Sequence, residues 1–417
     1  MMQSMVLFLV AFLVGVDELM LGSILEPIGN DLSVQPSQVT LFITAYSLAI
    51  AICAPYLGRL SDRVGRIRIM VPACFVFGVA SITTGIVHDF ELAIATRVIT
   101  GIASAGMLLI AFALAGDAKG NRAMRQIVMV QAGLTLGMIT SPAIGALLTQ
   151  LLSWRAAFII LGVAALLVSA MSVVFMNDQH DESKMSDALP PITGVIHVPG
   201  ALRAILAMCL GLGGGIGVFN LIGLHIRDTS DLALGWVGAI YAALGIVSVV
   251  GNMCVARASR WLGSSRAVMR VALMVCIPCS AWVFSNEMST VTAYLPALVL
   301  WSLAGGVGSP ALQAHIASLS DEYRGVLMSF GMSMMHFGVA IWSALAGFAY
   351  SVGNEWVAFV AFLLFGSAVV ILKPVGNTEQ SERFRSVLVD KEKPLPKKVT
   401  ACSKYFLKNG LSSCRIS

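Results

Sequence analysis

Two adjacent carboxylates stand inside an otherwise apolar stretch near the start of the chain, FLVGVDELMLGSILEP at residues 12–27. Asp17 and Glu18 are the only charged residues before Glu26. An acid in apolar surroundings holds a proton more readily than an acid in water, so it can exchange that proton near neutral pH. The chemistry that this pair indicates is reversible proton binding inside a membrane, where an ionisable side chain usually serves a function.

The spacing of small residues separates the two acids. Gly15, Glu18 and Gly22 stand at i−3, i and i+4 and share a helix face. Small residues on a face mark where another helix or a cavity lies close. Asp17 points about 100° away, towards a bulkier side. We predict that Glu18 faces the interior, while Asp17 borders the same cavity or bonds to a neighbour. The alternative, two acids in a water-filled vestibule without a coupling role, stays open.

Composition defines the broad class of the protein. Charged residues make up 12% of the chain, against about 25% in soluble domains. Apolar residues reach 57%, and segments of roughly 20 such residues, enough to cross a bilayer, recur throughout. We predict an all-α polytopic membrane protein. Its twelve expected spans lie near residues 5–28, 38–58, 69–87, 91–115, 127–150, 156–176, 201–224, 236–256, 268–285, 291–315, 326–350 and 356–372.

A polar stretch divides these spans into two sets of six. Each set has a basic loop after its second span, and one constant offset aligns Gly65 with Gly263 and Arg68 with Arg266. Paired halves of this kind are the architecture of many secondary transporters. The predicted parts are two pseudo-symmetric six-helix bundles, a cytoplasmic linker and a basic cytoplasmic tail, at residues 1–176, 201–372, 177–200 and 373–417, respectively.

The distribution of charge predicts the orientation and the partners. With both termini in the cytoplasm, nearly all Lys and Arg fall in cytoplasmic loops or in the tail. The net charge of +5 therefore gives no reason to expect nucleic acid. The sequence has no zinc-ligand cluster, phosphate-binding glycine loop or nucleophile elbow, so we expect no cofactor, no metal and no enzyme activity. The expected partners are protons, a small-molecule substrate and the lipid bilayer of a bacterial inner membrane, and we expect a monomer.

The loop GRLSDRVGRIR at residues 58–68 resembles the motif that major facilitator superfamily transporters carry between their second and third helices. A loop that is merely basic would explain its arginines but not its aspartate and glycines. Gly58 and Gly65 would permit close packing and a tight turn. The resemblance extends to about residue 372 and implies alternating access, with Asp62, Arg66 and Asp117 forming a latch for the outward-facing state. The motif positions are Gly58, Asp62, Arg63, Gly65, Arg66 and Arg68.

Two further stretches resemble motifs of this family. LAIATRVITGIASAG contains Arg97 and Gly101; an arginine inside a span is costly unless it is paired or hydrated, so we expect Arg97 to face the interior as the charge partner of the two acids. Snorkelling to the span end is the alternative.

GLTLGMITSPAIGALL resembles the helix-five motif of antiporters. Gly137, Pro142 and Gly145 match it, whereas Ser141 and Ala146 replace glycines, and a kinked packing helix would explain the same pattern.

These features favour a proton-coupled exporter of small organic molecules from the drug and sugar-efflux branch, which the first span also resembles. Candidates for the substrate cavity are Gln131, Asn220 and His336, with Asn220 ranked first because it follows a glycine-rich run that could unwind. His225 is expected near headgroups or water. A proton-coupled nutrient importer and a dedicated metabolite or metallophore exporter remain alternatives. A receptor would need a larger soluble part, and an enzyme would need a nucleophile or metal site.

Overall fold

The computed structural model describes residues 2–117, 121–176, 197–285, 290–320 and 323–373. Within these ranges every regular element is helical. Among the described residues, twelve helical segments are long and apolar enough to cross a membrane, and they are numbered here as spans 1–12. They are Met2–Ser23, Pro36–Val64, Arg66–Ile86, Phe90–Asp117, Arg125–Leu151, Trp154–Phe175, Ala201–Thr229, Leu234–Leu262, Ser265–Phe284, Val291–Ala317, Arg324–Val352 and Asn354–Ile371.

The predicted class, number and order of spans are confirmed, but several boundaries were wrong. The span predicted over 38–58 continues to Val64, so much of the predicted loop 58–68 is helix. The helix continues through charged residues beyond the apolar run, and it ends at Gly65, which has φ +110°. Gly263, its counterpart in the second set, ends span 8 with φ +76°. Glycine adopts such positive φ values at little cost. Most of the predicted linker 177–200 and tail 373–417 lies outside the described residues.

The helix contacts repeat between the first six spans and the last six. Span 1 packs on span 5, span 2 on span 4, and span 3 on spans 4 and 6. Adding six to each number gives the corresponding pairs 7 with 11, 8 with 10, and 9 with 10 and 12, all of which are also in contact. Between the sets, span 2 contacts span 11 and span 8 contacts span 5. Each of these contacts is the counterpart of the other when the first six spans are exchanged with the last six. This repetition is the pseudo-symmetry of the fold.

Glycines set the closest of these contacts. A Cβ on Gly137 of span 5 would overlap the Phe12 carbonyl oxygen and the backbone of Val16 in span 1. A Cβ on Gly338 of span 11 would overlap the backbone of Cys209 in span 7. Only glycine lets two helix backbones approach this closely. Span 1 is therefore held in a fixed register against span 5, and span 7 is held in the same way against span 11.

Spans 1 and 7 are both interrupted. Span 1 is α-helical over Met2–Met20 and continues as a 3₁₀ turn at Leu21–Ser23, with a further helix at Leu25–Asp31. In span 7 a π-helical turn, Met208–Gly213, separates helix Ala201–Ala207 from helix Gly214–Phe219. The glycine-rich run thus stays helical, and the break follows it, before helix Ile222–Thr229.

The two interruptions meet each other. A Cβ on Gly223 would overlap the carbonyl oxygen of Gly22. The hydroxyl of Tyr241, on span 8, accepts from the Gly223 amide at 2.9 Å and lies 3.3 Å from the Gly22 carbonyl oxygen. Discontinuous helices that face each other across two halves are typical of the central sites of transporters. The structure therefore brings the segment just after the two acids against the second set of spans.

Among the described residues, a hydrogen bond and an ion pair between the two sets lie towards one end of the bundle. We call the end that carries Gly65 the motif end. Towards the opposite end, the Thr44 hydroxyl donates to the Ala340 carbonyl at 3.0 Å. There Arg227 of span 7 also pairs with Glu26, its Nε and Nη2 donating to the two carboxylate oxygens at 2.5 and 3.1 Å. At the motif end, a Cβ on Gly58 would have open space around it.

We predict that Glu26→Gln weakens closure at the opposite end. Loss of this partly exposed ion pair is worth about 1 kcal/mol, or about a fivefold shift in population between closed and open arrangements. Spin labels at Glu91 and Asp231, in a background without cysteine, would report longer distances by double electron–electron resonance. Asp31→Asn is the matched control, since Asp31 pairs with Arg155 within the first set. An equal shift in both variants would contradict the assignment.

Candidate functional site

The centre of the first six spans contains a buried ion pair. Arg97 Nη1 of span 4 donates to Asp17 Oδ1 of span 1 at 2.8 Å, and neither side chain is exposed. The guanidinium carbon lies 4.6 Å from the ring centre of Tyr46 and 5.5 Å from that of Phe158. Aromatic faces attract a desolvated cation. Arg97 therefore points inward, and the snorkelling alternative was wrong.

The pair is only partly satisfied by protein groups. Asp17 Oδ2 and Arg97 Nε and Nη2 are buried without a hydrogen-bond partner. Each unpaired polar atom in a buried site is costly, and a bound water, an ion or a functional role accounts for such atoms in proteins. The arrangement leaves hydrogen-bonding capacity beside the ion pair, where water or a substrate group could use it.

Glu18 has a different environment from its neighbour. Its side chain is 6% exposed, its Oε1 lacks a partner, and the described residues provide it with no ion pair. We expected Arg97 to serve both acids, but in the structure it binds Asp17. The two possibilities left open for Asp17 thus resolve to a bond with a neighbour. Glu18 is the acid whose charge would be uncompensated.

Span 5 fixes the position of span 1 around these acids. Its motif residue Gly137 contacts span 1 as described above, and a Cβ on Gly145 would come within 2.7 Å of Met20 Cγ. The carbonyl of Pro142 accepts from the Ser23 hydroxyl at 2.8 Å. Ser141 is buried and donates to the Met138 carbonyl at 3.1 Å. The helix-five motif is thus a packing surface directly beside the candidate proton site.

The loop motif forms an ion-pair triad at the motif end. Arg66 Nη1 lies 2.9 Å from Asp62 Oδ1, and Arg66 Nε lies 2.5 Å from Asp117 Oδ2. The triad joins the ends of spans 2 and 4 to the start of span 3. Arg63 and Arg68 are exposed. The packing role expected of Gly58 was wrong for this conformation, since no heavy atom lies within 4 Å of its Cβ position.

The three cavity candidates occupy different surroundings. Gln131 is exposed and its amide lies 3.2 Å from the Thr135 hydroxyl. His336 is buried, and its Nδ1 lacks a partner. Asn220 is 1% exposed, its Nδ2 lacks a partner, and its Oδ1 lies 3.1 Å from the Cβ position of Gly22. Of the three, Asn220 is the one that the structure brings beside the break in span 1.

Sequence reasoning missed several residues of this region. Tyr46 and Phe158 give no signal beyond being aromatic residues in apolar helices. Glu26 and Arg227 are opposite charges at equivalent ends of spans 1 and 7, a signal that could have indicated their pairing. His225 was placed wrongly, since it is fully buried. The centre of its ring lies 5.1 Å from that of Phe284 and 5.4 Å from that of Tyr294. Within the described part of the chain, no group of three or more His, Cys, Asp or Glu could hold a metal ion.

Within the described residues, twelve apolar helices form two related sets whose interrupted helices meet one turn after the buried acids, an arrangement typical of secondary transporters. The profile of the Major Facilitator Superfamily matches residues 7–341. The chain belongs to this family, whose members are transporters and not enzymes.

Individual relatives are distant. An uncharacterized MFS-type transporter of Bacillus subtilis, YbcL, is 24% identical over 389 residues, which cover 92% of this chain and 97% of the relative. A bacillibactin exporter of the same organism is 35% identical over 139 residues, 31% of this chain and 35% of the relative.

A bacterial homologue of the human lysosomal transporter Spinster, solved in an inward-facing and unoccupied conformation, has a similar fold. The TM-score is 0.71 at 15% identity, over 89% of this chain and 94% of that structure. At this identity the likeness shows the fold alone.

The buried pair predicts a large stability effect. Arg97→Gln leaves Asp17 buried without its counter-charge, which should lower the free energy of unfolding by about 3–5 kcal/mol. Combining it with Asp17→Asn should recover most of the loss, because no buried charge then remains. Denaturant titration of the purified protein in detergent measures both. Asp31→Asn, which breaks a half-exposed pair, should cost about 1 kcal/mol or less. Similar losses in all three variants would argue against the pair as the stabilising element.

Proposed function

We propose that this protein is a proton-coupled secondary transporter that exports small organic molecules. In this proposal the first six spans, 1–176, and the last six, 201–372, rock about the central site and expose it alternately to each side of a bacterial inner membrane. The observation that carries the proposal is the contrast between two adjacent buried acids. Asp17 is bound to Arg97, whereas Glu18 lies beside it without a counter-charge.

Glu18 is the proposed proton carrier. A carboxylate without a counter-charge in apolar surroundings is costly, and a proton removes that cost. The pair Asp17–Arg97 is close to neutral, so it cannot compensate a second negative charge next to it. A substrate that donates hydrogen bonds or carries positive charge would stabilise ionised Glu18 and release the proton. Competition between proton and substrate for one site produces exchange, because the site carries one or the other across.

The conformation supports loading from one side. The Thr44–Ala340 hydrogen bond and the Glu26–Arg227 ion pair join the two sets of spans at the opposite end. With both termini in the cytoplasm, as the loop charges predict, the motif end faces the cytoplasm and this conformation is inward-facing. Asp62, Arg66 and Asp117 would then act as the latch of the outward-facing state through contacts formed when the motif end closes.

Export is favoured over import by two features. The helix-five motif, at Gly137, Ser141, Pro142 and Gly145, resembles that of antiporters and packs on the helix of the proposed proton carrier. One relative is named as a bacillibactin exporter. That relative also supports the second candidate, export of one dedicated metabolite or metallophore. A proton-coupled nutrient importer would use the same acids with the opposite relation between proton and substrate flux.

We propose a monomer, since each chain has its own central site.

The direct test uses the full-length protein in liposomes with a pH-sensitive dye inside. An imposed proton gradient is challenged with lipophilic cations, antibiotics, sugars and amino acids. Wild type should move protons against the direction of substrate flux. Glu18→Gln should lower the rate of this substrate-driven proton movement by at least about 100-fold, because one essential proton acceptor is gone.

Glu91→Gln is the matched control, because Glu91 is an exposed acid at the start of span 4 and should keep wild-type coupling. Movement of proton and substrate in the same direction would identify an importer. Unchanged coupling in Glu18→Gln would reject Glu18 as the carrier.

A further inference from the structure

The break in span 7 presents an aromatic ring whose orientation is fixed by two others. Phe219 is the last residue of helix Gly214–Phe219. Its ring makes edge-to-face contacts with Tyr241, at 5.7 Å between centres and 82° between planes, and with Trp301, at 5.6 Å and 84°. Edge-to-face packing holds rings in defined orientations. Phe219 therefore has little freedom to rotate away.

The supporting rings are buried, and Phe219 is not. Tyr241 is 5% exposed and Trp301 is 4% exposed, whereas Phe219 is only partly buried. Trp301 is itself held edge-to-face against Phe365, with ring centres 6.0 Å apart. One member of a rigid aromatic cluster thus keeps accessible surface, which is the arrangement that a stacking platform requires.

The platform stands beside the break in span 1. The Tyr241 hydroxyl lies 3.1 Å from the Phe219 carbonyl oxygen and 3.3 Å from that of Gly22. Gly22 follows Glu18 by one helical turn. A molecule lying on Phe219 would therefore be next to the segment that carries the proposed proton site.

The next residue along the chain, Asn220, contributes a hydrogen-bond donor. Asn220 Oδ1 faces Gly22, so its Nδ2, on the other side of the same carbon, is the atom left without a partner. A buried amide donor in this state favours any ligand that supplies an acceptor. Asn220 is 1% exposed in this conformation, so contact between a ligand and its amide requires a rearrangement of the helices around it.

We propose that Phe219 and Asn220 form a specificity-determining subsite for a planar aromatic ring that bears a hydrogen-bond acceptor. The subsite rests on the proposed transport function and adds a substrate class to it. Phe219 selects the flat ring by stacking, and the Asn220 amide selects the acceptor. Saturated molecules of equal size lose the first contact, and aromatic hydrocarbons lose the second.

The test is equilibrium dialysis of the full-length protein in detergent at fixed pH, corrected for binding to empty micelles. The probes are coumarin, octahydrocoumarin, which keeps the carbonyl but not the flat ring, and naphthalene, which keeps the ring but not the carbonyl. Wild type should bind coumarin about three- to tenfold more tightly than either comparison probe. Phe219→Leu should remove the preference over octahydrocoumarin, and Phe219→Tyr should retain it. Asn220→Leu should remove the preference over naphthalene.

Phe348→Ala is the control, since Phe348 is a 71% exposed phenylalanine of span 11, and it should keep both preferences. Absence of measurable coumarin binding, or an undiminished preference in Phe219→Leu, would overturn the subsite. The measurement needs no proton gradient. If wild type shows no ring preference but keeps coupling in liposomes, only the subsite is rejected. If wild type shows the ring preference but no coupling, only the proposed function is rejected.

Discussion

The buried pair between Asp17 and Arg97 is the constraint on which the first six spans depend. Two charges without exposed surface must stay together, because separating them inside apolar surroundings costs several kcal/mol. The pair connects span 1 to span 4, and the rings of Tyr46 and Phe158 enclose the guanidinium from spans 2 and 6. Four of the six helices therefore meet at one interaction. Movement of the protein is then expected between the two sets of spans and not within the first.

Span 1 combines this rigid point with an interruption just beyond it. Its helix is held on one side by Arg97 and on another by the glycine contacts of span 5, and it changes to a 3₁₀ turn at Leu21–Ser23. Span 7 breaks at the corresponding place, and the Tyr241 hydroxyl joins the two breaks. Glu18 lies between the fixed segment and the interrupted one. In the proposed mechanism, a change in the charge of Glu18 would act where the two sets of spans touch and would bias their relative position.

Much of this architecture could be predicted from sequence, because apolar length, loop charge and turn glycines are local signals. The twelve spans, the turn at Gly65 and the different surroundings of the two acids all follow from periodicity and composition. The partner of Arg97 could not be chosen from sequence, since Asp17 and Glu18 differ by a rotation that only the packed bundle fixes. The burial of His225 and the platform at Phe219 depend on rings from other spans. Contacts between residues far apart in the chain produce no recognisable spacing of residues in the sequence. The open surroundings of Gly58 depend on how the helices around it pack, which the local sequence does not specify.

In the proposed mechanism, Glu18 holds an exchangeable proton while Asp17 remains ionised against Arg97. Infrared difference spectroscopy on the purified protein tests it directly, because a protonated carboxyl group has a carbonyl stretch separate from that of a carboxylate. A substrate identified in the liposome assay should abolish one protonated-carboxyl band at neutral pH in wild type. Glu18→Gln should lack that band from the start, and Glu91→Gln should keep it. Persistence of the band in Glu18→Gln, or its absence from wild type, would contradict the account.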